Sequence, residues 1–208
     1  MGKPCYASCM DLQTIIFLGR SGSGKGTQAR LLKQFFLEHA PETPVLHIET
    51  GAHFRKYLKE PGYTWDLARR VGEQGLLQPN FLAVWVWVSE FVGKLVGNEH
   101  VIFDGAPRTL SEAKILNGAL SFYKRPNITI IFLNVSRDWA EDRLKIRGRA
   151  DDVSTDVIHH RLAWYEEEVA PAIEFYRGQT EYRFLEVSGE QAPEKVFGDI
   201  SKQLTTDN

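Results

Sequence analysis

Apolar residues in this chain of 208 residues fall into short, unbroken runs separated by longer stretches with helical spacing. The runs Thr14–Leu18, Val45–Ile48, Val101–Phe103, Ile128–Val135 and Tyr182–Val187 are rich in β-branched residues and do not alternate, as expected of strands covered on both faces. Between them the spacing predicts helices over Gly24–His39, stopping near Pro41 and Pro44, and over Asn80–Val96, Leu110–Phe122, Trp139–Arg147 and Pro193–Leu204. A polar, largely helical segment runs up to Gly75, and Thr155–Tyr176 reads as one long helix. Trp85 and Trp87 alternate as in a strand, but the length of their segment favours a buried helix. Strands alternating with helices predict an α/β fold of three layers, with a five-stranded parallel sheet between helices. Ligands bind such sheets at the carboxyl ends of the strands, where Gly19, Glu49, Asp104 and Ser136 fall.

Composition narrows the reading. The length suits a single domain over residues 1–208, with a patternless tail over 1–11. Lysine plus arginine number 25 against 27 acidic residues, and a net charge of −2 gives no general reason to expect nucleic-acid or membrane-surface binding. Cys5 and Cys9 both sit in the tail, too few for a disulfide framework or a zinc knuckle, so a reducing, cytoplasmic setting is expected. The N-terminus has no apolar leader, and Tyr6 stands where a myristoylation signal needs Ser or Thr. Phe81–Val96 is too short to span a bilayer and carries Glu90 and Lys94.

Candidate chemistry starts at Gly19-Arg20-Ser21-Gly22-Ser23-Gly24-Lys25-Gly26-Thr27-Gln28, between the first strand and the first helix. Clustered glycines let successive backbone N–H groups converge on an anion at a helix N-terminus, making this a phosphate-binding loop. Lys25 adds an ammonium for the β- and γ-phosphates, and Thr27 a hydroxyl for Mg²⁺. Gly26 stands where the hydroxyl residue usually follows the lysine. Asp104, at a strand tip beside the loop, is an acid able to hold Mg²⁺ through water.

The ending Gly-Lys-Gly-Thr-Gln resembles the loop of adenylate kinases and related nucleoside monophosphate kinases. Asp104-Gly105-Ala106-Pro107-Arg108-Thr109 resembles that family's Asp-Gly-Phe-Pro-Arg-Thr signature, and Thr50-Gly51 with Arg55 resembles its Thr-Gly-Asp-x-x-Arg, with Ala52 for the acid. The motifs keep the family's order from Thr14 to about Val196. The resemblance implies an ATP-dependent nucleoside monophosphate kinase, with MgATP as donor and AMP as the leading acceptor, acting as a monomer. Gly22 to Thr27, Arg143 and Arg147 would bind ATP. Thr50, Gly51, Arg55, Gly105 and Arg108 would bind the monophosphate, with Leu77, Gln78 and Glu112 around its base. Lys25, Arg108, Arg143, Arg149 and Arg161 would act on the transferred phosphoryl group, and Thr27 and Asp104 would hold Mg²⁺, the acid through water. Arg149 to Arg161 is a residue longer than the family usually has.

Glu112 replaces the glutamine that reads adenine in the family. An ionised carboxylate only accepts hydrogen bonds, which suits the paired donors of guanine better than adenine; a protonated one, or Gln78, would leave adenine readable. GMP, then CMP or UMP, therefore stand as alternative acceptors. A P-loop kinase of another small molecule and a nucleotide-binding module with weakened turnover are the other readings. The resemblance places the acceptor-binding segment at 50–79 and a very short lid at 147–154, so water exclusion is expected to rest on the former. His47, His53, His100, His159 and His160 have no ligand-like spacing and read as structural or surface residues.

Overall fold

The five apolar runs form β1 (Thr14–Gly19), β2 (Val45–Glu49), β3 (His100–Asp104), β4 (Ile128–Asn134) and β5 (Arg183–Ser188). All neighbours pair in parallel, in the order β2-β3-β1-β4-β5. The computed structural model describes residues 11–148 and 154–205. Helices α1 (Lys25–His39), α2 (Thr50–Tyr57), α3 (Tyr63–Glu73), α4 (Asn80–Lys94), α5 (Leu110–Phe122), α6 (Arg137–Arg147), α7 (Thr155–Trp164) and α8 (Ala170–Arg177) connect the strands, and α9 (Pro193–Thr205) follows the last of them.

The period of two along each strand explains the three layers. Ile15, Phe17, Ile102, Ile131 and Leu133 pack on Leu32 and Phe36 of α1 and Val196 and Ile200 of α9. Their neighbours Ile16, Leu18, Phe103, Ile130 and Phe132 face the opposite way, onto Trp87 and Phe91 of α4, Leu116 of α5 and Tyr176 of α8. A smaller cluster of Phe54, Ala68, Leu82, Ala83 and Val86 seats α2 and α3 on α4. Another, including Ala140, Leu144, Ile158 and Leu162, joins α6 to α7.

The order runs from β1 past β3 to β2, then back across β1 to β4. That reversal leaves a crevice beyond the carboxyl ends of β1 and β3, where ligands of such sheets bind. At the amino ends the sheet is bolted by buried Arg125, which donates to the Glu99 carbonyl at 2.7 Å and the Thr14 hydroxyl at 3.1 Å. The Glu99 carboxylate accepts from the Val96 and Gly97 N–H groups. Beside it, His100 Nδ1 accepts from the Gln13 N–H and the ring stacks on Phe36 with centroids 4.3 Å apart. Burial lowers the His100 pKa, helped by Arg125, consistent with a neutral ring that accepts at Nδ1.

Two elements differ from the sequence-based expectation. The long helix over 155–176 is interrupted by a π-turn, Tyr165–Val169, in which the Ala170 N–H reaches back five residues to the Tyr165 carbonyl. Pro171 follows without an N–H, so the α-helical ladder is already broken there. The 80–96 helix forms as α4, but it is buried on one side. Trp87 and Phe91 enter the core, whereas Phe81, Trp85 and Val92 remain exposed.

Candidate active site

A cleft of about 600 Å³ opens at the crevice, between the glycine loop, α2 and α3 on one side and α6, α7 and the start of α9 on the other. Gly22, Ser23, Gly24, Lys25, Gly26 and Thr27 all line it. β1 ends at Gly19 and α1 begins at Lys25, so the loop's amides sit at a helix N-terminus. Lys25 Nζ donates to the Gly19 and Arg20 carbonyls, both at 2.7 Å. Burial holds its pKa down at about 8; Asp104 pulls it up, and Arg108 and Arg147 push it down further. Arg20 fastens the loop from behind. It donates to the Val135 carbonyl, pairs with Glu166 at 2.6 Å and lies over the Tyr165 ring.

Asp104 stands at the tip of β3, 7% exposed, and burial raises its pKa against the opposing pull of Lys25. A Cβ at Gly26 would lie 3.0 Å from Asp104 Oδ2. The missing side chain thus lets the carboxylate approach the loop, a physical reason for glycine where the usual pattern has Ser or Thr. Thr27 also lines the cleft, with Arg30 Nη2 3.5 Å from its hydroxyl. Among the described residues no cluster of three His, Cys, Asp or Glu forms a metal cage. One carboxylate and one hydroxyl fit Mg²⁺, which retains waters and takes further ligands from phosphates.

On the other wall two guanidinium groups converge. A Cβ at Gly51 would meet Arg55 Nη1 at 3.2 Å and Arg108 Nη2 at 3.8 Å. Glu49 accepts from Arg55 at 3.2 Å, and the Gly105 carbonyl accepts from Arg108 Nε at 3.0 Å, so both forks are held in place. Phe54, Leu58, Gly72, Leu76 and Gln78 continue this wall, with Arg69 and Glu73 of α3 among them. Gln78 Nε2 donates to the Ala68 carbonyl at 2.8 Å, which orients the amide, while Oε1 is buried without a hydrogen-bond partner.

Three expected acceptor-side residues stand back from the cleft wall: Thr50, Leu77 and Glu112. Thr50 is buried and its hydroxyl lacks a partner. Glu112, 2% exposed, lies behind Arg108. Burial pushes its pKa up to about 7, with the Arg108 guanidinium and backbone and the Trp87 indole opposing. The indole N–H faces Glu112 without reaching hydrogen-bond geometry, so desolvation dominates. His53 turns away and faces Glu90 of α4 at 3.4 Å.

Opposite, Arg143 and Arg147 project from one face of α6 into the cleft, and Arg161 joins them from α7. Arg143 lies 4.8 Å from the centre of the Trp139 ring. Arg149 and most of the short lid lie outside the described residues. Sequence reading gave no cleft role to Arg30, Trp139, Trp164 or Gln191, which all line it. Helical spacing carried a signal for three of them: Arg30 is three residues after Thr27, Trp139 four before Arg143 and Trp164 three after Arg161. Gln191 sits in a loop and had none.

A family model described as adenylate kinase matches residues 17–181. The chain belongs to the adenylate kinase family. It is similar to an adenylate kinase of Azobacteroides pseudotrichonymphae, 32% identical over 191 residues that cover 89% of this chain and 94% of that protein. Adenylate kinase 1 of a Nostoc strain is 32% identical over 91% of this chain and 97% of its own length. An adenylate kinase of Bacteroides fragilis is 32% identical over 92% and 98%. The five-stranded parallel sheet with its glycine loop agrees with the P-loop fold of this family. Among the described residues no helix is long and apolar enough to cross a membrane.

Proposed function

We propose that this chain is an adenylate kinase, catalysing reversible, Mg²⁺-dependent phosphoryl transfer from ATP to AMP to give two ADP. The observation that carries this reading is the pairing, within one cleft, of two anion seats: the Lys25 loop and the Arg55–Arg108 fork over Gly51. A nucleotide-binding module needs the first seat. A second, aimed across the same cleft, suits a transfer between two phosphates. The names of the relatives favour AMP as acceptor over GMP.

In this reading the loop amides and Lys25 hold the β- and γ-phosphates of ATP, leaving its carbonyl partners for them. Arg55 and Arg108 hold the α-phosphate of AMP so that one of its oxygens faces the γ-phosphorus in line with the bridging oxygen. The bond from phosphorus to that bridging oxygen breaks as the bond to the acceptor oxygen forms, and ADP leaves on either side with no proton transferred in the step. Arg143, Arg147 and Arg161 neutralise charge that spreads over the moving phosphoryl oxygens. Mg²⁺ bound with ATP would add charge neutralisation, held by Thr27 and, through water, by Asp104. The 50–79 segment, carrying Arg55, Leu76 and Gln78, is the acceptor-binding element, and its closure over AMP would exclude water. Residues 147–154 would form the short lid.

A coupled assay with MgATP against AMP, GMP, CMP, UMP and dTMP tests the proposal. AMP is expected to give the highest kcat/KM, and Lys25→Met to abolish turnover while leaving the circular dichroism spectrum intact. Tight ATP binding without turnover on any acceptor would refute it.

A further inference from the structure

Sequence reading left His160 as a structural or surface residue and gave Trp164 no cleft role; both touch the acceptor-binding segment. Trp164 Nε1 donates to the Gly75 carbonyl at 3.1 Å, and His160 Nδ1 lies 2.8 Å from the Gln74 carbonyl. A carbonyl only accepts, so His160 carries its proton on Nδ1. Gln74 and Gly75 directly follow α3, where the chain has left its own helical ladder. α7 therefore supplies donors that α3 cannot supply to itself.

The contact is close by construction. Val157, His160 and Trp164, spaced three and four apart, form one face of α7. Gly75 lies against that face, with φ +71° and a would-be Cβ 2.7 Å from the Val157 carbonyl. No L side chain fits there without moving the two segments apart. The positions on either side of the contact matter for substrate: Leu76 and Gln78 follow Gly75 on the cleft wall, and Arg161 stands between His160 and Trp164 and lines the cleft.

We propose that Trp164, assisted by His160, is a positioning residue for the acceptor. Its indole N–H fixes the turn at Gly75, and so the Leu76–Gln78 wall, relative to Arg161. The inference rests on the kinase reading above and assigns that site a clamp on the turn at Gly75. His160 is exposed and its hydrogen bond competes with water, so Trp164 is the larger contributor.

Trp164→Phe keeps an aromatic ring and deletes the donor. A neutral hydrogen bond contributes enough to predict a roughly three- to tenfold rise in the KM and Kd for AMP, with those for MgATP unchanged within about twofold. Gly75→Ala, which opens the contact from the other side, should show the same split. His160→Gln, which retains a donor, should bind AMP as wild type does. AMP affinity is read by calorimetry as well as by turnover, and thermal melts establish that each variant is folded. Folded Trp164→Phe and Gly75→Ala proteins with wild-type AMP affinity would overturn the clamp while leaving the kinase reading intact. An equal loss of AMP and MgATP binding would reduce Trp164 to a structural role. A wild-type protein that binds no AMP would overturn the kinase reading, and the clamp with it.

Discussion

Glu112 shows how far burial, rather than type and position, sets the chemistry of one side chain. Its place after the Arg-Thr signature left open an ionised carboxylate, a protonated acid or reading by Gln78 instead; the residue is buried behind Arg108, away from the cleft wall. With a pKa near 7 in the fold against 4.5 ordinarily, the folded protein keeps a proton that the unfolded chain releases. Stability should therefore fall as pH rises from about 4.5 through 7, because an ionised carboxyl is then buried at a cost. Glu112→Gln, neutral throughout, is expected to match wild type near pH 4.5 and to exceed it above pH 7.5 by up to about 3 kcal/mol. Chemical denaturation at both pH values checks this, and a difference independent of pH would rule it out. Lys25, Arg55, Arg108, Arg143, Arg147 and Arg161 were legible because phosphate needs cations and the motif spacings carry them. Burial of Glu112 was not legible, since it depends on α4 delivering Trp87 from another part of the chain.

Among the elements, strands and most helices followed from local pattern: continuous apolar runs for β1 to β5 and helical spacing for α1, α5, α6 and α9. The π-turn was not visible because a one-residue widening leaves the apolar period almost unchanged. α4 was over-read as buried because its sequence is apolar around most of its circumference, and only packing decides which side faces the sheet. The glycine loop and β3 form a unit whose fit can be tested at Gly26. Alanine there should leave α1 as stable or more so, since it has the higher helix propensity. Its methyl group would meet Asp104 Oδ2 at 3.0 Å, and a carboxylate displaced by a few tenths of an ångström should lower kcat. Gly26→Ala is expected to melt no earlier than wild type while turning over at least roughly tenfold more slowly. Unchanged turnover across a Mg²⁺ titration would show that the approach has no catalytic consequence.

Across the whole molecule, parallel pairing separates two ends of one sheet. Cations and glycines gather at the carboxyl ends; Arg125, Glu99, Thr14 and His100 secure the amino ends, four or more residues back along each strand. Changes at the latter end should act on stability without reaching the cleft. Arg125→Met leaves the Glu99 carbonyl and the Thr14 hydroxyl without their donor, and a loss of about 2–4 kcal/mol is expected. KM values for both nucleotides should stay within about twofold in the folded variant. Urea titration and steady-state kinetics measure the two effects separately, and a large shift in KM would show the ends to be coupled. The same polarity sets which way up this protein must sit on a solid support. Attachment through the turn at 96–98, where Val96 is 81% exposed, would leave the cleft facing the liquid; attachment through α2 or α3 would turn its mouth to the surface and throttle substrate supply.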